Sequence, residues 1–201
     1  MGADNDYADG GDGDDVIFGE DGDDELLGNT GNDSIHAGAG ADSLYGGYGA
    51  DTLLGYEGDD FIDGGIDNDN IFGLTGNDTA HGGDGDDIIF VDAGDDFALG
   101  EKGDDELDGW YGDDTLNGGD GDDSIDGGDN NDLLFGGNGN DEIFGDRRPN
   151  SDALPSDESS ILNLISNDAG YNNWGLLYQG EDYAANSLFT AQSRYADYQS
   201  C

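Results

Sequence analysis

The chain has 201 residues, 50 of them acidic and 4 basic, for a net charge of −46, with 39 glycines and 33% apolar residues. Such a charge excludes nucleic acid and an anionic membrane surface as partners and points to cations. Composition alone describes a disordered chain, because so little apolar surface cannot offset the self-repulsion and the chain entropy, so an ordered structure needs both a pattern and something that neutralises the charge.

The pattern is a repeat. From Met1 to Phe144 the sequence reads as sixteen consecutive nine-residue units with no insertion. Gly82–Phe90, GGDGDDIIF, shows the consensus: Gly, Gly, any, Gly, Asp or Asn, Asp, any, aliphatic, any. Position six is Asp in every unit, as Asp6, Asp15, Asp24, Asp33, Asp42, Asp51, Asp60, Asp69, Asp78, Asp87, Asp96, Asp105, Asp114, Asp123, Asp132 and Asp141. Position eight is aliphatic throughout, from Ala8, Ile17 and Leu26 to Leu134 and Ile143.

Three glycines in the first four positions open backbone conformations that a Cβ would block, which predicts a turn over that half of the unit. The last three residues set one aliphatic side chain between two that point the other way, which predicts a short strand with one buried face. Units this short stack as a solenoid. Two units per coil give two parallel sheets with the turns in a column along each edge, and eight coils at the ~4.8 Å strand spacing make a rod roughly 38 Å long. In this reading only position eight points between the sheets, and the core is a thin ladder of Ile and Leu.

Most of the acidic residues lie in the repeat, where Lys102 is the only lysine or arginine. Stacking brings like-charged position-six carboxylates together, and two charges ~5 Å apart repel by roughly 0.8 kcal/mol even in bulk water. A hard divalent cation with oxygen ligands answers this. Calcium suits carboxylates beside exposed glycine carbonyls, whereas magnesium keeps its waters and demands stricter geometry. Zinc lacks ligands, since His36 and His81, the only histidines, occupy position nine of units of opposite parity and so belong to different sheets.

GGDGDDIIF, GGDGDDSID and GGNGNDEIF resemble the calcium-binding nonapeptide of the repeats-in-toxin (RTX) proteins. The resemblance implies an all-β, right-handed parallel β-roll solenoid. It implies calcium held between turns one coil apart, by the position-six carboxylates from Asp15 to Asp141 and by backbone carbonyls of turn glycines such as Gly10, Gly13, Gly82, Gly85, Gly118, Gly121, Gly136 and Gly139. It also implies secretion through a bacterial one-step export apparatus directed by an uncleaved C-terminal signal. Sixteen turns, each site needing turns i and i+2, allow at most 14 sites.

Some turns depart from the consensus. Position four is Asp4, Asp67 and Asn130 instead of Gly, and these turns are expected to survive with weaker sites, since Asp and Asn tolerate left-handed conformations better than most residues. Val91–Leu99, VDAGDDFAL, lacks both leading glycines, and its Ala98 lies one coil from Ala80 on the same sheet, which predicts a thin spot in the core. Position nine places Leu54, Phe72 and Phe90 as stacked neighbours with Ile88 beside them, an apolar strip awaiting either the chain's own tail or a partner.

Other chemistry finds no support. No run has the order of an EF-hand loop, and HExxH, GxSxG, the phosphate-cradling GxxxxGK and the dinucleotide GxGxxG are missing. Carboxylates bound to calcium make poor proton carriers, so no catalytic residue is expected.

After the repeat at 1–144, residues 145–160, with Pro149 and Pro155 among Ser and Asp, read as a linker, and 161–201 as a C-terminal cap or export-signal segment. Within it Ile161–Asn167 and Tyr171–Gln179 are strand-like, while Ala184, Leu188, Ala191, Tyr195 and Tyr198 recur at helical spacing. Cys201 has no partner for an internal disulfide, no apolar run reaches membrane-span length, and GADNDYADGG after Met1 is no signal peptide. The expected function is a secreted calcium-binding module that folds as the ions bind. The alternatives are the non-catalytic repeat portion of a larger secreted protease, lipase, alginate epimerase or cytolysin, or an adhesin spacer.

Overall fold

The computed structural model describes residues 2–145 and, beyond them, the strands at 162–166 and 174–178. Each repeat unit contributes one strand, numbered here in chain order. The first eight are β1 (Tyr7–Asp12), β2 (Val16–Asp21), β3 (Glu25–Thr30), β4 (Ser34–Ala39), β5 (Ser43–Tyr48), β6 (Thr52–Glu57), β7 (Phe61–Ile66) and β8 (Asn70–Thr75). The next eight are β9 (Thr79–Asp84), β10 (Ile88–Phe90), β11 (Phe97–Lys102), β12 (Glu106–Asp108), β13 (Thr115–Asp120), β14 (Ser124–Asp126), β15 (Leu133–Asn138) and β16 (Glu142–Phe144). Of these sixteen, the odd-numbered strands form one parallel sheet and the even-numbered strands the other, with paired residues 18 positions apart. The chain is therefore a parallel β-solenoid of about eight coils, two nonapeptides per coil, and no helix occurs among the described residues.

The strands are longer than the repeat suggested. Most span six residues, positions seven to nine and then one to three of the next unit, so two of the consensus glycines lie inside a strand and the turn shrinks to positions four to six. Position two bends the strand by taking a left-handed φ whether or not it is glycine, at Tyr56 (80°), Leu74 (81°) and Trp110 (65°) among others. Such a conformation costs a non-glycine residue about 1–2 kcal/mol, which explains why glycine dominates the position without being required there. On the even sheet the strands shorten to three residues from β10 onward, starting at the unit where Val91 stands in place of the leading glycine. Beyond that point the coils stay tied at position three, through bridges from Thr75 to Ala93, Ala93 to Tyr111 and Tyr111 to Asp129.

The core also departs from expectation. Position eight is buried as predicted, with Leu26, Ile35, Leu53, Ile71 and Leu116 fully enclosed. Position one points inward as well, shown by the full burial of Ala37 and Val91, and so does the position-six Asp. The interior is thus three rows wide, with aliphatic, glycine and carboxylate rows running along the rod. Ala80 and Ala98 pair directly on the odd sheet, as the sequence implied. Asp67 and Asn130 complete their turns at φ 79° and 96°, so those two turns survive the loss of glycine.

The tail strands β17 (Leu162–Ser166) and β18 (Trp174–Tyr178) fall within the two strand-like pieces, and they extend the odd sheet past β15. The expected linker after Gly145 and the helix over 184–198 lie outside the described residues.

Candidate metal centre

Each turn places its position-six Asp on the inner side of the coil, where the strand alternation has already turned it away from solvent. Asp24 to Asp132 are at most 3% exposed at this position, while Asp15 and Asp141, the two ends of one column, are only half-buried. From Asp24 to Asp141, Oδ1 of each accepts the backbone N–H of the corresponding Asp one coil earlier. Asp69 N donates to Asp87 Oδ1 at 2.8 Å and Asp87 N to Asp105 Oδ1 at 2.8 Å, and the series runs from Asp6 N and Asp24 (2.7 Å) to Asp123 N and Asp141 (3.1 Å).

The second oxygen is different. Oδ2 of Asp15, Asp24, Asp33, Asp42, Asp51, Asp60, Asp69, Asp78, Asp87, Asp96, Asp105, Asp114, Asp123 and Asp132 is buried with no hydrogen-bond partner. The position-one glycine makes room for it: a Cβ at Gly10 would lie 2.8 Å from Asp15 Oδ2 and 3.1 Å from the carbonyl oxygen of Gly28, and one at Gly64 would lie 2.5 Å from Asp69 Oδ2 and 2.7 Å from Gly82 O. A carboxylate oxygen and a carbonyl oxygen of the next coil therefore converge over a bare Cα. Both are acceptors, neither can satisfy the other, and desolvating such a pair is costly.

That donor set fits a hard cation with oxygen ligands. Calcium takes carboxylates and backbone carbonyls together, and these are the groups that converge. Among the described residues no three His, Cys, Asp or Glu side chains gather as a metal-holding group. His36 lies on β4 and His81 on β9, in different sheets, as the unit parity implied. The single lysine of the repeat, Lys102, pairs with Asp84 at the surface, away from the buried columns.

The electrostatics carry the same message. Burial pushes the carboxyls of Asp69 and Asp114 up to about 8, those of Asp60, Asp96 and Asp105 to about 7, and those of Asp51, Asp78, Asp87, Asp123 and Asp132 to about 6. Desolvation dominates and the backbone N–H bond opposes it. For Asp69, Asp105 and Asp114 the charges of the Asp residues one coil away add to the rise. A column that resists its own ionisation without a cation is a column suited to one.

The predicted glycines divide by role. Gly10, Gly82, Gly118 and Gly136, at position one, lie against the carboxylates. Gly85, Gly121 and Gly139, at position four, instead press on the position-four carbonyl of the coil before, leaving no room for a Cβ, and Gly13 has open space. A second ladder went unread in the sequence. The position-five Asp or Asn accepts the N–H of position five one coil later, as in Asn32 N to Asp14 Oδ1 (2.9 Å) and Asp122 N to Asp104 Oδ1 (2.8 Å). This ladder points along the rod opposite to the position-six ladder. The Asp-or-Asn preference of the consensus is its signal.

A family model described as the RTX calcium-binding nonapeptide repeat matches residues 2–35, 27–62, 36–71, 63–98, 92–125 and 117–147. No curated protein matches the chain.

Proposed function

The chain belongs to the family of RTX calcium-binding nonapeptide repeats, and on that premise we propose that it is a secreted module that folds as several calcium ions enter between its stacked turns. The observation that carries this reading is the row of buried, unpartnered Oδ2 atoms, most of which share the space over a position-one glycine with a carbonyl oxygen of the next coil. The position-six carboxylates from Asp15 to Asp141, with carbonyls of neighbouring coils such as Gly28 O and Gly82 O, would hold the ions, and the ions would supply the positive charge that the chain itself lacks. Fourteen such Oδ2 atoms support a capacity of up to 14 ions.

Folding on binding follows from the energetics. The aliphatic row is one residue wide, and each coil must bury carboxylates that repel one another, so the ion's affinity becomes folding free energy. A chain of net charge −46 stays extended where calcium is scarce and compacts where it is plentiful, which suits export followed by folding outside the cell. The position-six side chains hold backbone and ion, so the repeat acts as a structural roll. Circular dichroism through a calcium titration at about pH 8, where the position-six carboxyls are largely ionised, tests the reading: β-structure should rise cooperatively as calcium is added and vanish in chelator. A chain disordered at millimolar calcium, or fully folded in chelator at that pH, rejects it.

A further inference from the structure

Away from the aspartate columns, the two sheets differ at position two. On the odd-numbered side that position is glycine except at Asn29 and Glu101, whereas the even-numbered side places Tyr56, Leu74 and Trp110 there. All three hold a left-handed φ, at 80°, 81° and 65°, which glycine adopts freely and a side chain opposes. Large apolar residues thus occupy strained positions on one side of the roll and not on the other, a bias that stacking of the coils does not require.

The bias enlarges an apolar block. Leu54, Phe72 and Phe90 are paired in register on β6, β8 and β10. Tyr56 and Leu74 each lie two residues beyond one of them, on the same outer face. Phe72 and Phe90 meet edge to face with centroids 5.8 Å apart. At positions seven, nine and two, β6 and β8 carry no charged residue, nor do the three residues of β10, although the chain has a net charge of −46. Tyr56 is 38% exposed, and Leu54, Phe72, Leu74 and Phe90 are partly so.

The size of the block decides what fits it. Three strands ~4.8 Å apart, with five residues of each at ~3.3 Å, cover roughly 250 Å², well short of the ~800 Å² per partner that a stable pair of separate chains buries. A segment joined to the roll needs far less contact, because its tether holds it at an effective concentration in the millimolar range. The chain carries one that matches. Ala184, Leu188, Ala191, Tyr195 and Tyr198 recur at helical spacing, and Arg194 and Asp197 are the only charged residues from 184 to 198. Arg194 also suits the carboxylates of Asp92 and Glu106, which border the block. β18 is the second strand beyond β15, which sets Tyr178 about 24 Å along the rod from the level of β10 and about 34 Å from that of β6. Residues 179–183 reach about 20 Å when extended and a helix over 184–198 about 22 Å, enough to pass from one sheet to the other and arrive at Leu54. We propose that residues 184–198 dock as an amphipathic helix on the outer face of β6, β8 and β10, over Leu54, Tyr56, Phe72, Leu74 and Phe90.

Amide exchange of the full chain at saturating calcium tests this, with dichroism confirming the roll in every variant. Amides of 184–198 should exchange at least tenfold more slowly than in a free chain. Tyr56→Gly with Leu74→Gly restores the consensus residue and relieves the strained φ, so the roll should hold while the segment's protection falls about tenfold. Asn29→Gly with Glu101→Gly, the same change on the odd-numbered sheet, should leave that protection unaltered. If the Tyr56 and Leu74 variant does not fold, Phe72→Thr with Phe90→Thr decides. Free-chain exchange of 184–198 in the parent overturns the proposal, as does equal protection in the two glycine variants, which would seat the segment elsewhere. Protection that grows with protein concentration, together with a dimer in sedimentation, would give the face to a second copy and also overturn it.

Discussion

The amide of Asp69 donates to Oδ1 of Asp87 at 2.8 Å, one coil on, and Oδ2 of the same Asp87 is buried with no donor. One side chain thus ties two coils together and presents an unsatisfied charge between them. Asp87→Asn separates the two roles. Its carbonyl can keep the bond to Asp69 N–H, while its amide offers a donor toward Gly100 O, the carbonyl that a Cβ on Gly82 would approach to 2.9 Å. The variant should bind at least one calcium fewer, measured by titration of the folded chain, and be more stable than the parent in chelator. Asp87→Ala should lose both, costing about 1–3 kcal/mol through the orphaned Asp69 amide.

Acid should act in opposite senses with and without calcium. The carboxyls of Asp69 and Asp114 sit near 8 in the fold and those of Asp60, Asp96 and Asp105 near 7, against an ordinary value of 3.8. The calcium-free fold therefore binds more protons than the unfolded chain between these limits, so its stability is fully present below pH about 4 and is lost as pH rises toward about 8. Calcium reverses the preference, since it requires the ionised form. In chelator, β-structure should increase as pH falls from 8 to 4; at saturating calcium, the same descent should release ions. Dichroism and a calcium electrode read the two limbs.

A methyl group at position one tests the glycine row. At Gly82 a Cβ would overlap Asp87 Oδ2 and press on Gly100 O, and Asp87 cannot swing away without losing its bond to Asp69. Gly82→Ala should cost about 1–3 kcal/mol, the usual range for overpacking, and weaken calcium binding at that turn. Ala37 already carries such a methyl group and is fully buried, so Ala37→Gly should strengthen binding at Asp42. Calcium affinity of the two variants, measured side by side, should move in opposite directions.

Much of this architecture was legible because a strict period leaves few solutions. Unit parity alone placed His36 and His81 on different sheets and Ala80 beside Ala98, and the invariant Asp located the carboxylate columns. Position one was misread for a physical reason: glycine has no side chain to show which way it points, and only Ala37 and Val91 betray an inward-facing row. Strand length was misread because glycine signals a turn by default, whereas here the position-two residue bends a strand that continues through it, even at Leu74 and Trp110. The position-five ladder stayed hidden because exposed Asp and Asn in a turn have many ordinary explanations.

Two interruptions of the position-five ladder offer a gain in stability. Ala41 and Ala50 receive nothing from a following coil, having no acceptor, although their own amides donate to Asp23 and Asn32 at 3.0 and 3.1 Å. Ala41→Asn would supply an acceptor for the amide of Asp59, and Ala50→Asn one for Asn68, without adding charge. Each should stabilise the calcium-loaded fold by about 0.5–1.5 kcal/mol, read from urea unfolding at fixed calcium. The double variant should show nearly the sum, because the two bonds belong to opposite columns.

The coil containing Val91–Leu99 should be the first to open as calcium is withdrawn. Each fully buried Ile or Leu contributes about 1.5–3 kcal/mol to its coil, and Ala80 and Ala98, paired across β9 and β11, forgo most of that on two successive coils. On the other sheet β10 spans three residues where β8 spans six. Fewer buried carbons and fewer ladder bonds coincide within one stretch, while Leu26, Ile35, Leu44, Leu53 and Ile62 fill the aliphatic row nearer the N-terminus. Amide exchange at limiting calcium should therefore be faster across Ile88–Lys102 than across Leu26–Ile62. Ala98→Val, which adds buried carbon to the thin row, should narrow the difference if the coil accommodates it at saturating calcium. Uniform protection across Ile71–Leu107 would show that calcium, and not the aliphatic row, sets the stability of each coil.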